Sequence, residues 1–474
     1  MKKVISLILA SIILISLAAP VSAAESDYGL RYPTKDEIIA KAEEMQIDFS
    51  AAEDFSEPYS VEGPDYAPGK LTAQTQQQML DALNFYRYVA GLPSDVQLDD
   101  SYGEMAQASA LVNAVNRTLS HFPQQPEDMD DALYQLGYNG SGRSNIAWNQ
   151  KNLKRAMVQG WMDDSNTSNL PMAGHRRWIL NPPMQYTGFG VAERYYAMYA
   201  FDRSRQGRFT GDYVAWPAPN TPLEMFSGSV FTISLGDDYD KPSADNVSVT
   251  VTSKTLRKSW TVSKDHPELG FYVNNEGYGV AKCIIFKVAD FAADDTLRVT
   301  VNGVTKNGAS APIDYTVNLF SVSEISTSRR YVILKPRRTI VDPEITATSL
   351  LDSDPAVTWS STDENIADYY DGYGLFSYEE GEATVTALVG GKKVDIPVIS
   401  SLRPVLLGDT DRNGEVSSID TTLIQRVMAY MDVSYYCELT SDVDGDGEIS
   451  ITDATQIQRW LAWIDTHYPI GEEL

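Results

Sequence analysis

Two spacings of apolar residues divide the chain into a helical first part and a β-rich middle. From Gln74 onward, apolar side chains recur every three or four residues, the spacing of one helix face. Gly91 ends the first stripe, and two short β-type segments, 188–192 and 195–201, follow the last. The pattern predicts a mixed α/β domain over residues 71–215. The stripes are Met79, Leu83, Tyr86 and Ala90; Met105, Ala108, Val112 and Val115; and Leu153, Met157 and Trp161.

Beyond the proline-rich hinge at residues 216–219, apolar residues alternate with polar ones. This alternation puts successive side chains on opposite faces of a strand and predicts half-buried strands. Glycines and Asn-Gly pairs separate the runs, as turns require. We predict a β-sandwich module over residues 222–320 and a second over residues 321–400. The clearest strands are 247–252, 297–301, 315–319, 357–361 and 383–387.

The last segment, from about residue 404, is helical again and contains an internal repeat. The sequence from Asp409 to Val416 recurs from Asp442 to Ile449, and a helical stretch follows each copy. Oxygen-bearing side chains occupy positions one, three, five and twelve of each copy, with glycine at position six. Calcium takes six to eight oxygen ligands, and the glycine permits the sharp turn that brings them together.

The two loops therefore predict two calcium ions. Position seven contributes its backbone carbonyl in this arrangement. From residue 401 onward, 14 carboxylates stand against four arginines and no lysine, so we expect the segment to need calcium to fold. The predicted ligands are Asp409, Asp411, Asn413, Glu415 and Asp420 in the first loop, and Asp442, Asp444, Asp446, Glu448 and Asp453 in the second.

The tandem loop–helix units, with Asp at position twelve, resemble a type I-like dockerin over residues 408–464. The resemblance implies a small all-α calcium-binding module, here 404–474, that binds a cohesin domain of a scaffold protein. It also implies two pseudo-symmetric binding faces. Their recognition positions fall on Ser418, Ile419, Gln425 and Arg426, and on Ile451, Thr452, Gln458 and Arg459.

A second resemblance rests on five short elements in the helical part. They are 83–87 with Gly91-Leu92, Ser120-His121, Asn145-Ile146-Ala147, Trp161-Met162 and 174–182. In this order they resemble the bacterial branch of the CAP (SCP/PR-1-like) superfamily over about residues 74–203. The resemblance implies an α-β-α sandwich whose cleft holds two histidines and two acidic residues and can bind a divalent metal.

The family's histidines carry over to His121 and His175, but its acidic residues carry over poorly. Ser144 stands where the family has Glu, and the second acidic position is Asp164. The catalytic candidates are His121, His175 and Asp164, with a divalent metal at the two histidines. The alternatives are hydrogen-bonded structural histidines and a solvated loop position for Asp164. Trp148, Trp161 and Trp178 are expected in the core or the cleft wall, where an aromatic face can stack on a sugar.

Residues 321–400 are similar to bacterial Ig-like group 2 domains, with Trp359 expected to pack across the sandwich core. The resembling stretches are 357–363, Ile366-Ala367 and 381–385, and the implied role is that of a spacer. Cys283 is expected to be a small core residue, since only two cysteines occur and they lie in different predicted modules.

The N-terminus predicts export. Lys2 and Lys3 precede an apolar run and a Val-Ser-Ala site, which together are typical of a signal peptide over residues 1–23. No later stretch has the length of a membrane span. Residues 24–70 are polar and proline-rich, and we interpret them as a leader arm that wraps or spaces. The formal charge of −27 argues against nucleic acid or anionic membranes as partners.

The sequence thus predicts a secreted, extracellular, multidomain protein of a cellulosome-type or cell-surface assembly. Its dockerin binds cohesin in a calcium-dependent manner, and its CAP domain presents a cleft to an extracellular ligand such as a carbohydrate or cell-wall polymer. The alternatives are a hydrolase acting on polysaccharide, cell wall or protein through the His121/His175 cleft, and a purely structural CAP domain. The absence of a Gly-x-Ser-x-Gly or His-Glu-x-x-His motif argues against the hydrolase.

Overall fold

The computed structural model describes residues 27–226 and 230–474; the predicted signal peptide lies outside them. The first part is mainly helical, and its helices follow the predicted stripes. The Thr72 side chain accepts a hydrogen bond from Thr75 N at the start of the helix Ala73–Val89, and the Asp99 side chain accepts one from Tyr102 N at the start of the helix Asp100–Asn116. The helices are α1 (Lys35–Met45), α2 (Ala73–Val89), α3 (Asp100–Asn116), α4 (Asp131–Ser141), α5 (Leu153–Arg155, continued by a π-helical segment, Ala156–Met162) and α6 (Gly174–Ile179). The strands are β1 (Phe55–Glu57), β2 (Lys70–Leu71), β3 (Gln97–Leu98), β4 (Ser144–Trp148), β5 (Tyr186–Thr187), β6 (Phe189–Ala192) and β7 (Tyr195–Tyr199).

An antiparallel sheet of order β4-β7-β6 lies at the centre of this part. Ile146 of β4 packs with Ala106 of α3, whereas its neighbour Ala147 joins the main core with Met157 of the π-helical segment. Because successive residues of a strand point to opposite faces, helical segments contact both faces of the sheet. Gly190 permits this close packing, since a Cβ there would lie 2.3 Å from the backbone nitrogen of Gln107 in α3.

The predicted leader arm packs against the folded part. Helix α1 begins with a capping box between Thr34 and Glu37 and buries Ile38 and Ala42 in the main core, and Phe49 is buried there as well. Of the two roles expected for this arm, wrapping agrees with the contacts.

The middle part contains a four-stranded sheet, β13-β14-β10-β8, and a five-stranded sheet, β12-β11-β15-β18-β9. Strand β8 crosses the boundary predicted at residue 215, pairs with β10, and places Trp216 against Tyr86 of α2 at 5.5 Å. One continuous core therefore joins the helical and middle parts. The strands are β8 (Tyr213–Trp216), β9 (Asn220–Pro222), β10 (Val230–Leu235), β11 (Ser248–Ser253), β12 (Lys258–Ser263), β13 (Phe271–Asn274), β14 (Cys283–Lys287), β15 (Thr296–Asn302), β16 (Thr305–Lys306), β17 (Ala309–Ser310) and β18 (Ile313–Phe320), with a 3-10 turn at Leu223–Met225.

In the middle part, Cys283 is buried as expected. The β-rich part that follows, residues 323–400, has a hydrophobic core of its own. Its main sheet has the order β20-β27-β26-β23, and Trp359 is half-buried and stacked on Tyr369 at 3.8 Å. The strands are β19 (Ser323–Thr327), β20 (Val332–Leu334), β21 (Ile340–Val341), β22 (Ile345–Ser349), β23 (Thr358–Ser361), β24 (Asp368–Tyr370), β25 (Gly374–Phe376), β26 (Gly381–Val389) and β27 (Lys392–Ser400).

The C-terminal part is small and helical. Its helices are α7 (Ser418–Met428), α8 (Glu438–Ser441) and α9 (Ile451–Leu461), and α7 packs against α9. Ile424 and Ile457, which are equivalent in the repeat, are fully buried at the centre of its core. A separate apolar cluster of Ile399, Val405 and Cys437 joins this part to strand β27.

Candidate functional site

The structure brings three carboxylates together in each C-terminal loop. In each group, one oxygen from each residue lies within 4.8 Å of the others, and in each group the members at loop positions one and twelve are buried. Burial first, and then the neighbouring carboxylates, raise the pKa of Asp409. The arrangement concentrates negative charge in a way that a divalent cation relieves. The groups are Asp409, Asp411 and Asp420, and Asp442, Asp444 and Asp453.

The aspartate at position twelve ties each loop to the helix that follows it. Asp420 and Asp453 lie at the third position of α7 and α9, where their carboxylates accept the N-cap backbone N–H in a capping box. The same carboxylates accept a backbone N–H from the start of the loop. The distances are 2.7 Å for Thr410 N–Asp420 Oδ1, 2.8 Å for Val443 N–Asp453 Oδ1, and 2.8 Å for both Ser417 N–Asp420 Oδ2 and Ser450 N–Asp453 Oδ2.

The other predicted ligands lie at the exposed tips of the loops. Asn413 Oδ1 accepts from Glu415 N at 2.9 Å, and Asp446 Oδ1 accepts from Glu448 N at 2.8 Å. These four residues are exposed and lie outside the two carboxylate groups. The structure therefore assembles three of the five predicted ligands in each loop, in the same way in both.

All eight predicted recognition residues are exposed on the two helices. The two halves also share their local contacts: Arg426 Nη2 donates to Asp432 O at 2.9 Å, and Arg459 Nη2 donates to Asp465 O at 2.8 Å. The residues are Ser418, Ile419, Gln425 and Arg426 on α7, and Ile451, Thr452, Gln458 and Arg459 on α9.

Two further exposed residues follow these helices and were missed from the sequence. Tyr430 is 98% exposed and Trp463 is 97% exposed, and each has a positive φ. They are equivalent in the repeat, so the offset between the two copies was the signal that could have identified them. Large aromatic side chains at such exposure are typical of contact surfaces.

The second candidate site is a cleft of about 360 Å³, lined mostly by residues of the helical part. It contains both predicted histidines, which reach it from the loop after α3 and from α6. Trp178 lies in its wall, stacked on Phe201 at 4.2 Å. The lining residues are His121, Phe122, Gly142, Ser144, Asn145, Asn169, Met172, Gly174, His175, Trp178, Phe201 and Tyr278.

The expectation that Asp164 is a solvated loop residue is wrong. Its side chain is fully buried, with Oδ1 2.8 Å from His175 Nδ1 and Oδ2 accepting from Arg176 N at 3.1 Å. The backbone after the π-helical segment turns through a left-handed φ of 49° at Asp164, which directs the carboxylate inward. Asp164 thereby orients the imidazole of His175, whose Nε2 makes no hydrogen bond to the part of the chain that the structure describes.

His121 lies at the rim of the cleft. Its Nδ1 is 2.7 Å from the carbonyl oxygen of Ser141. Desolvation lowers the pKa of His121, the Ser141 carbonyl opposes that shift, and the nearby His175 adds to it. Neutral imidazole is therefore favoured at this position.

The tryptophans separate into three environments. Trp161 is fully buried in the main core and Trp178 lines the cleft. Trp148, which was expected in the core or the cleft wall, is 53% exposed and lies outside the cleft lining. It is the last residue of edge strand β4, where the sheet leaves its ring uncovered.

The residues present do not fit the divalent metal that the CAP resemblance implies. Both histidines use Nδ1 elsewhere, and both oxygens of Asp164 are engaged. Ser144 supplies no carboxylate, so the donor set is two imidazole nitrogens, whereas protein zinc sites use three or four side chains. Among the described residues, the clusters suited to a metal are the two aspartate groups of the C-terminal loops.

Two of the three catalytic candidates, His175 and Asp164, are hydrogen-bonded to each other, and within residues 27–226 and 230–474 no serine, threonine or cysteine side chain is bonded to either of them. Ser144 Oγ lines the cleft and is buried, but it has no hydrogen-bond partner. The two remaining histidines, His266 and His467, are exposed. Over residues 27–226 and 230–474, no helix has the length and apolar character of a membrane span.

Comparison with known proteins gives weak overall similarity. No curated protein matches the chain. Among solved structures, it is similar to the N-terminal part of the bacterial S-layer protein SbsC, at 13% identity and a TM-score of 0.16, covering 36% of this chain and 41% of that chain. Human CDH23 EC21-23 matches at 16% identity and a TM-score of 0.14, covering 35% of this chain and 66% of that one. The chain thus spans less than half of the SbsC structure, and TM-scores this low establish no shared fold or function.

Two protein-family models match defined segments. The CAP model, described as the cysteine-rich secretory protein family, matches residues 80–210, and the dockerin type I domain model matches residues 407–462. The strand-rich region between them is compatible with Ig-like modules. A dockerin implies calcium binding and a cohesin partner in an extracellular, cellulosome-type assembly. The chain is thus a multidomain protein that carries a CAP domain and, at its C-terminal end, a type I dockerin.

Proposed function

We propose that this protein is secreted and is anchored to a scaffold by its dockerin, while its CAP cleft binds an extracellular ligand. The observation that carries the docking half is the equivalence of the two loop–helix units. Corresponding hydrogen bonds to Asp420 and Asp453 agree within about 0.1 Å, and the predicted recognition residues are exposed on both helices. Two equivalent surfaces offer cohesin two orientations of binding.

In this proposal the ten loop residues predicted from the sequence surround two calcium ions. Asn413 and Asp446, whose side-chain oxygens accept backbone N–H groups at the loop tips, supply further side-chain oxygens to calcium. Glu415 and Glu448 supply backbone carbonyl oxygens. Tyr430 and Trp463 extend the two docking faces at their helix ends, where their rings are available to a partner.

The proposal also includes the finer architecture. Residues 1–23 act as a signal peptide and 24–70 as the wrapping arm. The CAP domain (71–215) is an α-β-α sandwich, and residues 222–320 and 321–400 are β-sandwich modules, the second Ig-like. Support comes from the helical segments on both faces of the β4-β7-β6 sheet and from the paired sheets of the middle part.

Calorimetric titration of the full chain with cohesin domains, in calcium and in EDTA, tests the docking half. We expect binding that EDTA abolishes. Replacing Gln425 and Arg426 by Ala, or Gln458 and Arg459 by Ala, should leave affinity within about threefold, because the untouched face still binds. The quadruple variant should lose about 100-fold or more, consistent with truncation of interface anchors. No binding to any cohesin despite a calcium-dependent fold would reject docking.

A hydrolase acting on polysaccharide, cell wall or protein is the second candidate. The observation that favours it is the His175–Asp164 pair at 2.8 Å, which orients an imidazole as a base requires. Turnover of cellulose, peptidoglycan or casein should then fall at least 100-fold in His175→Ala and remain unchanged in His467→Ala, whose side chain is exposed. No turnover by the unaltered chain would leave ligand binding as the role of the cleft.

A further inference from the structure

The middle β-rich part supplies one wall of the CAP cleft. Tyr278 lies in the loop between β13 and β14, outside the segment that matches the CAP family, yet its ring lines the cleft. A Cβ at Gly174 of α6 would lie 3.0 Å from the Tyr278 ring, so glycine there allows the loop to approach closely. The Tyr278 hydroxyl donates a hydrogen bond to Sδ of Met172, another residue that lines the cleft, at 3.2 Å.

Arg177 holds this loop in position. Its buried guanidinium donates to Asn274 Oδ1 at 2.8 Å, to Val280 O at 2.6 Å and to Glu276 O at 2.5 Å. It also lies 5.3 Å from the centre of the Tyr278 ring, within cation–π range. A buried arginine that satisfies several acceptors is costly to rearrange, so the wall is preorganised.

Apart from the two histidines, the side chains that line the cleft carry no formal charge. The lining contains no Asp, Glu, Lys or Arg, and Ser144 occupies the position where the CAP family has a carboxylate. The surface combines aromatic faces, on Trp178, Phe201 and Tyr278, with uncharged hydrogen-bonding groups. Among these, Ser144 Oγ is buried without a partner, which is a cost that a bound hydroxyl would remove.

We propose that this two-module cleft binds a neutral sugar ring. The ring's apolar face packs on Tyr278 and on the exposed ring of Phe201, and its hydroxyls bond to Ser144, Asn145 and the Nε2 atoms of the histidines. A sugar hydroxyl both donates and accepts, which matches serine, amide and imidazole groups, whereas a lipid chain would leave Ser144 Oγ unpaired. The volume of about 360 Å³ falls in the range of small-molecule sites.

This inference rests on the cleft half of the proposed function and is independent of docking. Saturation-transfer NMR and calorimetry on the calcium-loaded full chain would use cellotetraose, xylotetraose and chitotetraose, with trigalacturonate and palmitate as charged and lipid comparisons. We expect at least one neutral tetrasaccharide to bind. Tyr278→Leu, which keeps bulk but loses the ring face, should weaken it about tenfold, in line with aromatic stacking on a ring. Tyr278→Phe should retain binding, and Tyr373→Ala, at an exposed tyrosine, should change nothing.

Binding of palmitate or trigalacturonate alone, or sugar affinity unchanged in Tyr278→Leu, would overturn the proposal. Absence of binding by all three neutral sugars would do the same, while cohesin titration of the same samples reports separately on docking. A second variant, Ser144→Glu, restores the missing carboxylate. It should gain cobalt binding, seen in the visible spectrum, and lose sugar affinity; sugar affinity that survives this change would contradict the role given to the uncharged lining.

Discussion

The calcium loops and the histidine cleft differ in how the chain assembles them. Each loop draws its predicted calcium ligands from twelve consecutive residues, and the aspartate at position twelve also completes the capping box of the helix that follows. The cleft gathers residues from His121 to Tyr278, in two parts of the molecule. Local geometry therefore determines the loops, whereas the cleft depends on the packing of the middle β-rich part against the helical part.

The difference extends to what stabilises each site. The dockerin has a small core of its own around Ile424 and Ile457 and carries clustered negative charge, so we expect its stability to depend on calcium. The cleft lies on a large continuous core that includes both the helical and middle parts, and its loop is held by a buried arginine. The two sites should consequently respond to different perturbations, and the following predictions test that separation.

Calcium removal should have the largest effect, and only on the dockerin. Because Asp420 and Asp453 link metal binding to helix capping, EDTA should abolish the helical signal of α7 and α9 and lower cohesin affinity by about 100-fold or more. Trp463 fluorescence and calorimetric titration would measure this. The cleft's Tyr278 and Trp178 resonances should stay unchanged, and their collapse in EDTA would show that the two regions are not independent.

Arg177→Ala should be the most damaging single substitution on the cleft side. It leaves the part-buried carbonyl oxygens of Glu276 and Val280 without this donor, so we expect the free energy of unfolding to fall by about 2–3 kcal/mol. Urea denaturation would measure the loss. Arg426→Ala, at an exposed arginine of the dockerin, should change stability by less than about 0.5 kcal/mol. Similar losses in both variants would contradict the assignment of Arg177 as the anchor.

Arg330→Gln should produce a smaller change that distinguishes the two calcium loops. Arg330, from the second β-rich part, contacts the predicted ligand Asp442 in the second loop, whereas Arg412 of the first loop pairs with Glu382 at 2.9 Å. A cation beside Asp442 opposes calcium, so its removal should raise the affinity of the second loop about two- to threefold, which terbium titration would resolve. The control is Arg329→Gln, which removes an ion pair with Glu344 and should leave calcium affinity unaltered.

Acidification should have the smallest effect on stability, and we expect this effect to come from His121 in the cleft. The folded state lowers the pKa of His121 below that of the unfolded chain, so the unfolded state takes up the proton first. The stabilisation is present above the unfolded pKa of about 6.5 and is lost as pH falls below it. Between pH 7.5 and 5.5, the melting temperature of His121→Gln should fall less with decreasing pH than that of the unaltered chain. An equal fall in both proteins would contradict this role for His121.

Some elements followed from short-range pattern and others did not. The stripes through Met79 and Met105 lie in helices α2 and α3, since three- and four-residue spacing survives any tertiary arrangement. Burial of Asp164 was not predictable, because it depends on a π-helical segment and on His175, eleven residues later. Likewise, β8 crosses the predicted boundary because its partner is β10, a pairing that the sequence pattern does not specify.

The sequence by itself determined the repeated calcium loops, the helices after them and the two histidines, because each depends on residue types at fixed short spacing. Only the tertiary structure decided that Asp164 orients His175, that Ser144 is left as a buried unpaired hydroxyl, and that Tyr278 closes the cleft. Those features arise where segments far apart in the chain pack against one another, and long-range packing has no periodicity that the sequence alone displays.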